Sequence, residues 1–328
     1  MRRLLALSSA LVLACGGVGC GGTERPAAAT ALLGVQSNTG GSEVTLRMAP
    51  AGPIAFATQL RVSLRSEMLG QPINADMDTR GVRRVVERRP DGSLAIEELD
   101  TASTFAFSMM GRSRSGPEHG TPAEPRRYVL GDRGRRIDEP ATTITVAPST
   151  PGAGFERVME PLVRALEFPE EPISPGATWS AQGRIPLDGV DAGLAGEARY
   201  QLVQRLERLE GSGETRVAII AFEGALEGEG ASAAPPASPV PGEPPMPAEA
   251  MRGALRFRGF YVVALSDGFA RSARAEFEGE AQLGPGGVMT FPIEGELEWS
   301  ASPIDAVIAM PEPAPSTAPA ASESLQPL

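Results

Sequence analysis

The chain has 328 residues, 41% of them hydrophobic, and a formal net charge of −11. All 30 basic residues are arginine, the two cysteines fall within the first twenty positions, and His119 is the one histidine. These numbers argue against nucleic-acid binding through a basic surface, a disulfide framework or thiolate metal site in the body, a histidine-rich metal centre, and Schiff-base or phosphate-loop lysine chemistry.

Taken in chain order, Met1-Arg2-Arg3 is a short basic start and Leu4 to Ala14 an apolar run. That pattern predicts a secretory signal over residues 1–20; the run falls short of the roughly 20 apolar residues that span a bilayer. A cysteine behind such a run and a small residue resembles the lipobox of bacterial lipoproteins. Cys15 follows Val12-Leu13-Ala14 and fits the order better; Cys20 follows Gly17-Val18-Gly19 and is the alternative. The resemblance implies a lipidated cysteine as the mature N-terminus and a membrane tether. The glycines after either cysteine, in place of an aspartate, imply the outer membrane, facing the periplasm. Residues 21–41, rich in Gly, Ala and Thr, read as a flexible tether.

A first β half is expected over residues 42–148. Ile54, Phe56, Thr58, Leu60, Val62 and Leu64 line one face of a strand, and Val82 to Arg89 leads through Pro90-Asp91-Gly92 into a strand from Leu94 toward Phe107. Arg112 to Pro125 reads as a polar loop, followed by Tyr128-Val129-Leu130, a turn at Asp132-Arg133-Gly134, and Arg135-Arg136-Ile137. Residues 149–180 form a connector. Within it Phe155, Val158, Met159, Leu162, Val163 and Leu166 occupy one helical stripe, which predicts the principal helix of the chain, kinked at Pro161.

The second β half is expected over residues 181–307. Leu202 to Leu209 fits a helix locally, but its place in an internal repeat makes it a strand. Both halves read strand, Gly turn, strand, long polar loop, strand ending in Asp and Gly, strand. Leu255 to Leu265, Ala273 to Leu283 and Phe291 to Trp299 alternate apolar and polar residues, the pattern of half-buried antiparallel strands. Residues 229–248 read as a proline-rich loop and 308–328 as a disordered tail. The fold class expected is therefore mainly β, with two similar meanders forming a curved sheet or half-barrel packed on the Phe155–Leu166 helix.

The connector runs Phe168-Pro169-Glu170-Glu171-Pro172-Ile173-Ser174-Pro175-Gly176-Ala177-Thr178-Trp179. Phe168, Pro169, Pro172, Gly176 and Trp179 match a phrase that resembles a group of uncharacterised bacterial envelope lipoproteins. The resemblance implies export and a β-rich fold, and no reaction. The motif reads as architectural: prolines stiffen an extended link, and Trp179 opens a strand and anchors it in the core.

Chemistry is sparse. His119 sits in a polar loop, a poor place for a rigidly held base. The glutamates 276, 278, 280, 294, 296 and 298 alternate with Phe277, Leu297 and Trp299, as a solvated sheet face does, and no Asp-rich calcium loop appears. The sequence predicts no catalytic residue, no metal site and no cofactor. Two readings remain for the tethered protein: a carrier whose β scaffold encloses an apolar ligand or lipid, and a structural or interaction scaffold that holds an envelope protein partner and has no ligand cavity.

Overall fold

A computed structural model describes residues 43–68, 70–109, 111–117, 125–137, 166–186, 194–232, 250–283 and 289–305. Twelve strands occur among them: β1 (Ala55–Met68), β2 (Gln71–Arg88), β3 (Leu94–Met109), β4 (Arg112–Pro117), β5 (Arg126–Leu130), β6 (Arg136–Ile137), β7 (Thr178–Pro186), β8 (Leu194–Glu210), β9 (Val217–Ser232), β10 (Ala250–Ala264), β11 (Ala270–Leu283) and β12 (Met289–Ile304). They form one antiparallel sheet in the order β6-β5-β3-β2-β1-β12-β11-β10-β9-β8-β7, with β4 added to the far end of β3. The two expected halves are thus joined edge to edge, because the last strand pairs with the first along most of its length.

In this order β1-β2-β3-β5-β6 and β7-β8-β9-β10-β11 are both antiparallel meanders, and β12 lies between them. β2 and β8 each carry a bulge near their ends, after Val85 and after Leu206. Leu202 to Leu209 is strand: one face of β8 buries Leu202, Gln204 and Leu206 completely, and the period-2 burial overrides the local helical spacing.

The sheet curls with its apolar face inward. In a flat sheet the β5–β6 and β10–β11 turns would lie six strand spacings apart, roughly 29 Å. Yet the neighbouring residues Met48 and Ala49 donate their N–H groups to Asp132 in one turn (2.6 Å) and Asp267 in the other (2.9 Å). Leu46, Met48, Leu166 and Phe168 are buried where these turns meet and close that end of the core.

Three expectations need correction. Arg112–Pro117 is strand, not loop: it pairs with Thr104–Met109 through backbone bonds to which its Arg and Ser side chains are indifferent. Glu229 to Ser232 likewise extends β9 beyond the expected loop boundary, paired on both sides as far as Ala231. Among the described residues no α-helix occurs, only a single 3₁₀ turn at Gly213–Thr215. The predicted helix lies outside the described residues except for Leu166, which is buried and non-helical.

Candidate functional site

The apolar side of the sheet is filled. Five inner-face glycines are each overlain by the large side chain of their cross-strand partner: Gly183 by Tyr200, Gly224 by Leu202, Gly259 by Phe222, Gly279 by Leu255 and Gly295 by Phe277. A side chain at any of these positions would occupy the space its neighbour already fills, so large residues alternate with glycines to pack a strongly curved layer. Phe222 stacks on Tyr261 at 4.4 Å, and Phe56 meets Phe269 at 5.3 Å. Burial of Tyr261 pushes its hydroxyl far above the usual tyrosine range. Along these strands the face that a carrier would use for its ligand is occupied by the protein's own side chains.

A large open feature lies on the polar side. A trough of 1310 Å³ crosses seven strands, from β7 to β1, an arc of roughly 29 Å. Each strand from β7 to β12 contributes two outward residues and the inward residue between them, so the backbone forms the floor and two cross-strand rows form the walls. In register, one wall runs Val203, Glu223, Arg258, Glu276, Glu296, Ser63, and the other Gln201, Ala225, Arg256, Glu278, Glu294, Arg65. Arg258 bonds Glu276 at 2.9 Å and Arg274, outside the trough, bonds Glu296 at 3.0 Å. Glu276 faces Glu296, and Glu278 faces Glu294, each pair directly opposite. Such like-charge pairs cost stability, and they make the β11–β12 stretch the most acidic part of the trough.

The other end of the sheet uses charge differently. Glu97 and Glu98 are 2% and 1% exposed although they are consecutive and point to opposite faces. On the outer face Glu97 lies between Arg84 and Arg127, its register partners on β2 and β5, with bonds of 2.6 Å to Arg84 and 2.8 Å to Arg127. Burial pulls its carboxyl upward, but the bonds to Arg127 and Arg84 outweigh that and hold it below the ordinary carboxylate value. On the inner face Arg83 donates to the Tyr128 hydroxyl (2.6 Å) and lies 3.7 Å from Glu98, while the Tyr128 hydroxyl donates to Glu98 (3.3 Å). Neither cluster opens onto the trough, and both act as cross-strand ties.

Of the residues singled out in the sequence, Phe168 is buried, with its N–H on the Arg133 carbonyl (2.8 Å). Trp179 packs partly buried against the core and donates its indole N–H to the Glu167 carbonyl (2.6 Å). Desolvation raises the Glu167 carboxyl above the usual range. Gly176 takes a positive φ of 96° and its N–H reaches the Leu206 carbonyl (2.7 Å). Pro169 is half-buried and Pro172 exposed along the extended link. These bonds tie the β6 side of the sheet to β7 and β8. Cys15, Cys20 and His119 lie outside the described residues. Sequence reasoning missed the trough, because its walls are set by register between strands. It also missed Arg83 and Glu98, whose inward direction depends on the position of the bulges.

No protein-family model matches the chain, and no curated protein matches it. Among solved structures, it aligns with Pseudomonas aeruginosa OccK5 (OpdH) over 78% of this chain and 99% of that one, at 8% identity and a TM-score of 0.23. It aligns with P. aeruginosa OpdQ at 7% identity and 0.22, over 77% and 99% of the two chains. OccK7 (OpdD) of the same organism gives 10% identity and 0.21, over 78% and 100%. Similarity at this level supports no statement about fold or function.

Proposed function

We propose that this is an exported, lipid-tethered envelope protein that acts as a non-catalytic interaction scaffold and engages a polar protein partner along the trough. The observation that carries the reading is the contrast between the two faces: the apolar face is filled by its own side chains, while the polar face keeps a long open trough with unlike ends. Arg65 at one end and the Arg256–Arg258 pair flank four glutamates, a pattern that fixes orientation of a partner more than it adds affinity. The export reading rests on the first twenty residues, whose basic, apolar and cysteine order supports lipidation at Cys15 or Cys20.

Native mass spectrometry of the delipidated protein purified from its own envelope tests the scaffold reading. A defined protein partner, lost in the double variant Arg256→Glu, Arg258→Glu, supports it. A stoichiometric co-purifying lipid with no protein would overturn it in favour of the carrier, and ester or glycoside turnover abolished by one Ser or Glu substitution would overturn both. Metabolic labelling with a clickable fatty acid tests the tether: label should be lost in the Cys15→Ala, Cys20→Ala double variant, and persistence would end the lipoprotein reading.

A further inference from the structure

The segment 43–50, ahead of β1, is built like a bound peptide. Its side chains alternate, with Val44, Leu46, Met48 and Pro50 turned inward and Glu43, Thr45, Arg47 and Ala49 exposed. Its backbone touches three separate segments. Val44 exchanges both bonds with Ile173 of the connector (2.8 and 2.9 Å), Met48 reaches Asp132, and Ala49 reaches Asp267. The last two lie in the β5–β6 and β10–β11 turns. Each turn is closed by a bond from a glycine N–H, Gly134 to the Gly131 carbonyl three residues back and Gly268 to the Ala264 carbonyl four residues back, both 2.9 Å. Each places a positive-φ glycine beneath the segment, Gly134 at 82° and Gly268 at 79°. A Cβ on Gly134 would come within 2.9 Å of the Met48 methyl, and one on Gly268 would collide with the Arg47 carbonyl. The twin glycines thus form a seat over which a second backbone can lie.

We propose that residues 43–50 are a strap that opens locally, and that its seat is an acceptor site for an extended segment with apolar residues at alternate positions. Extended peptides are recognised this way, through a few main-chain bonds and pockets for alternate side chains. The strap has backbone bonds to three separate segments and no continuous ladder, whereas β1 is paired along its length on both sides. Its opening free energy therefore lies below that of the sheet. Opening would uncover the apolar floor at Leu166 and Phe168 without unfolding the strands. The strap directly follows the expected tether, so a pull on the N-terminus would act on it first. The inference rests on the fold and stands apart from the scaffold and tether readings.

The body lacks cysteine, which makes thiol accessibility a clean probe. In full-length protein with Cys15 and Cys20 replaced by serine, single Leu46→Cys and Leu297→Cys variants report on two positions that are both 2% exposed. The thiol at position 46 should alkylate at least about tenfold faster under native conditions, as local opening requires; equal rates would overturn the proposal. Adding Gly268→Ala should accelerate alkylation at position 46 further, and no change would refute the seat. A labelled peptide spanning residues 43–50 should bind the Leu46→Asp, Met48→Asp variant, whose strap is expelled, at least about tenfold more tightly than wild type. A folded variant that ignores the peptide would also overturn the proposal, and if that variant fails to fold the alkylation comparison still decides.

Discussion

The two meanders have the same strand order and opposite electrostatics. Residues 43–137 hold 15 arginines and 12 carboxylates, whereas residues 166–305 hold 10 arginines and 22 carboxylates. In the first, arginine covers acid: Glu97 is clasped by Arg84 and Arg127, and Glu98 is buried beside Arg83 and Tyr128. In the second, acid faces acid across β11 and β12 in the open trough. The Glu97 and Glu98 clusters thus use charge as an internal tie, and the β11–β12 stretch of the trough carries it as surface. The cost of losing a charge should differ between them by several-fold.

The widest gap is expected at Arg83. Arg83→Ala would remove the buried guanidinium 3.7 Å from Glu98, and breaking a buried pair typically costs about 3–5 kcal/mol. Urea unfolding monitored by tryptophan fluorescence measures it directly. A loss under about 1 kcal/mol would mean that Glu98 is held by other groups and that the two halves do not differ as described.

Acid titration sharpens the same contrast. The folded state holds the Glu97 carboxyl below its ordinary value of 4.5, so the unfolded chain binds that proton more readily. Its stabilisation is complete above the ordinary value and is lost as pH falls through the depressed one. Glu97→Gln should therefore cost about 1–2 kcal/mol at pH 7 and flatten the acid limb of the stability curve. Glu167 has the opposite sign. Burial raises its carboxyl, so it favours folding below the ordinary value, and that contribution fades as pH rises through the raised one. Glu167→Gln should leave stability at pH 7 unchanged or improved. A parallel loss in both variants would show that burial and pairing had been assigned to the wrong carboxylates.

The sequence carried the second meander better than the first, for a physical reason. β10, β11 and β12 alternate large apolar residues with charged ones, as in Phe277 between Glu276 and Glu278, and their existence follows from period alone. The start of β2 alternates Ile73, Ala75 and Met77 with Asn74, Asp76 and Asp78, a weaker contrast in which the strand is held by its two neighbours. β4 has no apolar face at all and exists through its ladder with β3. The trough was illegible because each strand shows only two of its wall residues. Pairing Glu278 with Glu294 requires the β11–β12 register, and the curl that closes the core depends on the strap reaching two turns more than 100 residues apart in sequence.

On the acidic side, charge reversal should change stability little. Glu294→Arg would place a cation opposite Glu278 on β11, replacing a cross-strand repulsion with an attraction worth roughly 0.2–1 kcal/mol. The same position also faces Arg65 on β1, where an attraction becomes a repulsion of the same order, so the two changes nearly cancel. Thermal unfolding should show almost no shift. A clear destabilisation would indicate that Glu294 already serves Arg65 and that the trough is as tightly tied as the Glu97 cluster.

A small effect is also expected for Arg258 and Glu276, the most direct counterpart to Arg83 and Glu98. Both pairs join neighbouring strands, and the Arg258–Glu276 pair is the shorter, at 2.9 Å against 3.7 Å. Distance alone would rank it the stronger. Exposure reverses the order: the Arg258 and Glu276 side chains are 60% and 49% exposed, so water screens their attraction and ordering two long side chains offsets much of what remains. A double-mutant cycle with Arg258→Ala and Glu276→Ala should give a coupling of about 0.2–1 kcal/mol that falls toward zero in 1 M salt, where the Debye length is about 3 Å. A coupling above about 2 kcal/mol, or one indifferent to salt, would place this pair with the buried ties of the first meander and remove the electrostatic distinction between the two halves.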